Sequence, residues 1–149
     1  MKFRGHVHRS LDAKGRLMLP PDWRDMILAN APDGRLVLTL YESCVIGITA
    51  AQWAELERVF EKIKAPTKPM RDLQRKLFGG FEEVGIDRQG RIQIPTHLRK
   101  SGKLEREVVL LGVGNRFEIV GEGAFEAMLG QQFDDVSGEL AQHGVSLPF

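Results

Sequence analysis

The chain has 149 residues, 42% of them hydrophobic, with one cysteine and a formal net charge of +1. That apolar share supports a buried core of single-domain size, while the longest apolar runs, 36–41 and 108–111, are too short to cross a bilayer and a lone cysteine excludes an intramolecular disulfide. Net charge by itself points to no anionic partner, and residues 1–9 lead into no apolar secretory core, so a cytoplasmic location is expected.

The charge is unevenly spread. Residues 1–24 carry six Lys or Arg against Asp12 and Asp22, whereas residues 122–149 carry five carboxylates and no Lys or Arg. An anionic partner would therefore meet the start of the chain and avoid its end. His6 and His8, at i and i+2, fall on one face of a predicted strand and offer half a metal site, but no third ligand stands at useful spacing. Metal binding is not expected, and the two rings are read as solvated or phosphate-facing.

Asp12-Ala-Lys-Gly-Arg16 reads as a tight turn. The Asp can accept hydrogen bonds from backbone N–H groups two or more residues on, and Gly15 supplies the positive φ of a bulged hairpin loop. Arg16-Leu-Met-Leu-Pro20 then alternates with a period of two, placing Leu17 and Leu19 on one face and Arg16 and Met18 on the other. Pro20 ends the strand, and residues 21–28 read as a short helix. Residues 35–41 and 45–48 predict a second hairpin, with Cys44 packing among Val45, Ile46 and Ile48. Thr49-Ala-Ala-Gln52 has the pattern of a capping box opening a helix to about Ile63, with Trp53, Leu56, Val59, Phe60 and Ile63 forming its apolar stripe. Residues 65–69, with two prolines, break that helix, and residues 70–77 predict a short basic one.

The chain then repeats itself. At an offset of 75, Phe3, Gly5, Leu11, Asp12, Gly15, Arg16, Leu17, Leu19, Pro20 and Arg24 coincide with Phe78, Gly80, Ile86, Asp87, Gly90, Arg91, Ile92, Ile94, Pro95 and Arg99. The second turn is Asp87-Arg-Gln-Gly-Arg91, followed by a short helix at 96–100, a hairpin from 107–111 and 116–120, and a shorter helix with Phe125, Met128 and Leu129 in its stripe. The stripe is expected to stay buried to about Phe133, with the polar residues beyond mobile or docked on a neighbour. The expected organisation is a first repeat at 1–64, a linker helix at 65–77, a second repeat at 78–133 and an acidic tail at 134–149. The expected fold class is α+β, mostly β.

Two Asp-x-x-Gly-Arg turns about 75 residues apart, each followed by aliphatic-x-aliphatic-Pro and a short helix, together with Phe78-Gly-Gly80, resemble the MraZ family. The resemblance covers nearly the whole chain except the last dozen or so residues. It implies a double AbrB-like fold in which the swapped hairpins of the two repeats interleave into one small barrel. A lone unit of this size would leave an apolar face exposed, which pairing two units in one chain would bury. The resemblance also implies a ring-shaped homo-oligomer acting in the nucleoid on the promoter of the division and cell-wall gene cluster.

Arginine beside a turn suits double-stranded DNA because its planar fork bonds bidentately to guanine O6 and N7 or to phosphate. Arg16 and Arg91 are the first candidates. Lys14 and Arg88 inside the loops add point charge, and Arg4 and Arg9 on the preceding strand extend the basic surface. The competing reading is a clasp between Arg16 and Asp12 within the turn, and the two readings can coexist. Glu82 and Glu83 stand where the first repeat has Val7 and His8, so the first loop is expected to dominate. No phosphate-binding Gly-rich loop, nucleophile elbow or zinc-protease helix is present, so neither catalysis, a cofactor nor a small-molecule substrate is expected. An assembly protein using the barrel for protein partners, and a hydrolase built on His6, His8 and a carboxylate, remain as other readings.

Overall fold

The computed structural model describes all 149 residues. The chain runs β1 (His6–Ser10), β2 (Arg16–Met18), α1 (Pro21–Asn30), β3 (Arg35–Tyr41), β4 (Cys44–Thr49), α2 (Ala50–Glu61), α3 (Lys68–Gly79), β5 (Glu82–Gly85), β6 (Arg91–Gln93), α4 (Thr96–Ser101), β7 (Glu107–Gly112), β8 (Phe117–Gly121), α5 (Glu122–Leu129) and α6 (Ser137–Gln142). It is a mixed α and β protein, mostly sheet with several helices. No helix is long and apolar enough to cross a membrane.

Six strands form one antiparallel sheet in the order β1-β7-β8-β4-β3-β5. The first strand of each repeat thus pairs with the other repeat, β1 with β7 (Val7 opposite Leu110) and β5 with β3 (Val84 opposite Leu36). β8 and β4 meet in the middle. The remaining strands, β2 and β6, pair with each other in a separate ribbon with Leu17 opposite Ile92. The expected closure into a single barrel is not found, because β1 and β5 stand as open edges of the large sheet and the ribbon pairs as a separate two-stranded sheet.

Period-two alternation gives the sheet two apolar faces. One face packs Leu36, Leu38, Val45, Val108, Leu110, Phe117 and Ile119 against Leu17, Leu19, Ile92 and Ile94 of the ribbon region and against Trp23, Ile27 and Leu98 of α1 and α4. Each such fully buried aliphatic contributes about 1.5–3 kcal/mol of transfer free energy. We call this the ribbon face. The other, helical face packs Val37, Cys44, Ile46 and Ile48 against Trp53 of α2 and Leu77 of α3. Burial there pushes the Cys44 thiol up to about 12, with Glu118 and Glu42 adding to the effect.

Local chemistry explains the helix starts. Thr49 Oγ1 accepts from Gln52 N at 3.1 Å while Thr49 N donates to Gln52 Oε1 at 2.9 Å, completing the capping box. The same Gln52 donates through Nε2 to Asn115 O at 2.7 Å, tying α2 to the turn between β7 and β8. Thr67 caps α3 from outside the helix.

One expectation changes in three dimensions, and two details are added. The α5 stripe ends early: Phe125 is buried, but Leu129 is 64% exposed and Phe133 80% exposed, because α5 stops at Leu129 and lies on the sheet for a single apolar turn. Residues 137–142 form the short helix α6, with Ser137 N donating to Asp135 Oδ1 at 2.9 Å before its first turn. The matched pair Phe3 and Phe78 is not equivalent in packing. Phe3 is buried between Trp23 and Phe117, whereas Phe78 ends α3 half exposed beside Trp53 and Phe60.

Candidate nucleic-acid interface

Each Asp-x-x-Gly-Arg turn is closed by the same bonds. Asp12 Oδ1 accepts from Lys14 N at 3.0 Å and Arg16 N at 2.8 Å, and the Asp12 carbonyl accepts from Gly15 N at 2.9 Å. In the second turn Asp87 Oδ1 accepts from Gln89 N and Arg91 N, both at 2.9 Å. Gly15 and Gly90 sit at φ of 78° and 81°, a region that costs an L-residue about 1–2 kcal/mol.

The carboxylates also hold the arginines. Arg16 Nε donates to Asp12 Oδ2 at 2.6 Å, and Arg91 Nε to Asp87 Oδ2 at 2.9 Å. The backbone N–H of the arginine first, and then its guanidinium, keep Asp12 and Asp87 below the usual carboxylate range against an opposing desolvation cost. Each clasp uses only the Nε–H. The terminal nitrogens of Arg16 and Arg91 make no hydrogen bond, so four of the five donors of each guanidinium stay unbonded.

The ribbon brings the two arginines together. In β2–β6 Arg16 stands opposite Gln93 and Met18 opposite Arg91, all four on the outward face, since Leu17 and Ile92 between them are buried. Arg16 and Arg91 are thus one diagonal apart, offset by two residues or roughly 7 Å along the strands. The turns are tied across the repeats as well: Ile94 N donates to Gly15 O at 2.9 Å, Leu19 N to Gly90 O at 3.0 Å, and Gln93 Nε2 to Lys14 O at 2.9 Å.

The other expected residues divide. Lys14 and Arg88 project from the loops and are exposed. Arg9 lies on β1 and reaches the ribbon, donating from Nε to Met18 O at 3.1 Å. Arg4 does not join them: it precedes β1, at the strand end away from the turn, with its backbone against Gly112. His6 and His8 are exposed on the helical face, where they lie against the buried Phe125 ring of α5 with ring centroids 4.7 and 6.1 Å from it. On the second repeat the acidic strand is used internally: Glu83 pairs with Arg35, and Glu82 Oε1 lies 2.8 Å from His97 Nε2.

Two arginines beside the turns were not singled out from the sequence. Arg99 of α4 lies over Gly15, and Arg24 of α1 over Gly90. Their signal was present in the repeat, where Arg24 and Arg99 align, but nothing local shows that each sits on the opposite repeat's turn.

This architecture defines a class, a two-repeat β-rich protein that displays paired, carboxylate-oriented arginines on one outward ribbon. The family model for the MraZ protein, whose description adds "antitoxin-like", matches residues 77–141. Over its whole length the chain is 55% identical to a protein of Maridesulfovibrio salexigens and 47% identical to one of Nitratidesulfovibrio vulgaris Hildenborough, each covered in full and each named transcriptional regulator MraZ. A protein of the same name from Hydrogenovibrio crunogenus is 36% identical over 97% of both chains. This chain belongs to the MraZ family.

Proposed function

We propose that this protein is a sequence-specific, DNA-binding transcriptional regulator that reads double-stranded DNA through its two Asp-x-x-Gly-Arg turns. The observation that carries the reading is the shared outward face of the ribbon, where Arg16 and Arg91 present unbonded terminal nitrogens while Asp12 and Asp87 hold them through Nε. A guanidinium held by its Nε is pre-oriented for a two-pronged contact with guanine O6 and N7 or with a phosphate. Lys14, Arg88 and Arg9 add charge toward the backbone, and Arg4 extends the basic segment at a distance.

In this reading the two repeats, 1–64 and 78–133, each contribute one turn to an AbrB-like interleaved unit, with 65–77 as linker and 134–149 as an acidic tail. The partners are DNA carrying short repeated elements, such as the promoter of a division and cell-wall gene cluster, and further copies of the chain in a ring-like homo-oligomer. Repetition then lets modest single contacts sum through avidity. The protein would work in the cytoplasm, associated with the nucleoid.

Mobility-shift titrations over a salt series test the assignment. Affinity should fall steeply with salt, log K changing by about 0.9 per decade for each phosphate neutralised. Arg16→Ala should lose about 1–3 kcal/mol per bidentate contact. Folded Arg16→Ala and Arg91→Ala proteins with unchanged affinity would remove the turns from the DNA site.

A further inference from the structure

Two apolar surfaces of this chain are left uncovered at the same time. The first is a groove of about 460 Å³ on the helical face, floored by Ile46 and Ile48 of β4 and walled by Leu56 and Phe60 of α2 and Leu73 and Leu77 of α3. An apolar cavity near 150 Å³ accommodates a benzene ring, so this one has room for several apolar side chains. The second is the C-terminal segment, where Val136, Leu140, Val145, Leu147 and Phe149 converge around an open cleft of about 420 Å³. Phe149 is 98% exposed and Leu147 54%. No residue of the segment lines the groove.

Charge sorts the two surfaces into partners. Residues 122–149 carry only carboxylates among their acidic and basic side chains, apart from His143. α3, which forms one wall of the groove, carries Lys68, Arg71, Arg75 and Lys76 against Asp72. Lys68 and Arg75 share that one carboxylate, whereas Arg71 and Lys76 bond only to backbone carbonyls, of Pro66 and Glu42. The groove lining itself carries only Glu55 and Arg116, each already paired, with Arg58 and Glu118. The cations without a carboxylate partner, Arg71 and Lys76, lie on α3 outside that lining, and the tail holds carboxylates with no cation.

The groove is floored by β4 and rimmed by Asn115 and Arg116 of the β7–β8 turn, while the tail leaves α5, which packs on β7 and β8, and lines its own separate cleft. A contact that joins the tail of one copy to the groove of the next is head-to-tail, uses both surfaces on every copy, and closes into a ring when the rotation permits.

We propose that the segment 133–149 of one copy docks in the groove between α2 and α3 of a second copy, with Leu147 and Phe149 as the apolar anchors and the acidic residues of the tail against α3. This rests on the ring-like oligomer of the preceding reading and supplies its interface.

Light scattering on the full-length chain and on the Leu147→Ser/Phe149→Ser variant tests it, with disulfide trapping in a Glu55→Cys/Leu147→Cys variant as the second measurement. Both sets of positions are solvent-exposed, so the fold should tolerate the changes, and buried Cys44 does not compete for oxidation. The wild type should run as a multiple of 16.8 kDa, the tail variant should fall to a single chain, and oxidation should give covalent multimers. A monomeric wild type overturns both this inference and the ring. An oligomeric wild type whose mass the tail variant leaves unchanged overturns the inference alone, as does a cross-link formed only within one chain or a failure to cross-link. DNA binding by the turns is read separately, from Arg16→Ala.

Discussion

Arg99 of the second repeat lies across Gly15 in the turn of the first, so that a Cβ on Gly15 would stand 2.5 Å from Arg99 Nε and 2.7 Å from its Cζ. The guanidinium has little freedom to withdraw, because Nε donates to Ile94 O and Nη2 to Thr96 Oγ1, each at 3.0 Å. Gly15 is thereby required twice, once for its positive φ and once for the space above it. Gly15→Val should destabilise the protein by roughly 1–3 kcal/mol, read as a lower urea midpoint. Adding Arg99→Ala should return only the part due to the collision. Wild-type stability in Gly15→Val would show that the turn does not require glycine at this position.

Asp12 and Asp87 link the turns to pH. Both carboxylates are held below their ordinary value of 3.8, first by the arginine backbone N–H and then by the guanidinium. A depressed folded-state pKa contributes stability that is fully present above the unfolded value and is lost as pH falls through the folded one. Thermal melts between neutrality and strong acid should therefore show a wild-type decline that begins as pH enters the ordinary carboxylate range and continues until pH has passed below the depressed folded-state values. In the Asp12→Asn/Asp87→Asn protein the decline should be shallower and should start from a lower neutral-pH plateau. Parallel curves for the two proteins would mean that the turns do not carry the linkage.

The two arginines should contribute unequally to DNA affinity. Lys14 and Arg99 beside the first turn are matched by Arg88 and Arg24 beside the second, but Arg9 of β1 adds a cation reaching the ribbon, whereas the second repeat places Glu82 and Glu83 on the neighbouring strand β5. Those carboxylates contact His97 and Arg35, but they add negative charge to the strand beside the second turn. Arg16→Ala is expected to cost more than Arg91→Ala, within the span of about 1–3 kcal/mol for a bidentate contact. Side-by-side titrations at one salt concentration decide it, and the reverse order would reassign the leading role to the second turn.

Gly47 predicts a packing failure remote from the turns. It faces Phe117 across the β4–β8 pairing, and a Cβ there would lie 2.1 Å from the ring Cζ. Phe117 cannot yield easily, since it is fully buried with Phe3 and Trp23 edge-on or tilted at 5.3 and 5.6 Å. Gly47→Ala should cost at least about 1–3 kcal/mol, the usual range for overpacking, and should lower the melting temperature without altering DNA affinity of the folded fraction. A melting temperature within error of wild type would mean that the central strands separate more readily than this packing implies.

What the sequence determined by itself was local. Asp12 and Asp87 announce their turns because an Asx side chain bonds N–H groups within four residues. Thr49 and Gln52 announce a capping box because both partners lie within one helical turn, and Leu17-x-Leu19 and Ile92-x-Ile94 announce buried strand faces because a pleat alternates every second residue. The tertiary structure alone decided which strand pairs with which, since β1 and β5 leave their own repeats for β7 and β3, and hydrophobic alternation reads the same whichever neighbour supplies the ladder. It decided that Arg4 stands apart from the turns while Arg99 and Arg24 lie on them, and that His6 and His8 cover Phe125. These contacts join residues from about 50 to about 120 positions apart in the chain, and their energy comes from shape and burial met only after the two repeats have closed on each other. The joint position of Arg16 and Arg91 belongs to both levels: the turns place each arginine beside its aspartate, and the β2–β6 ribbon turns both to one side.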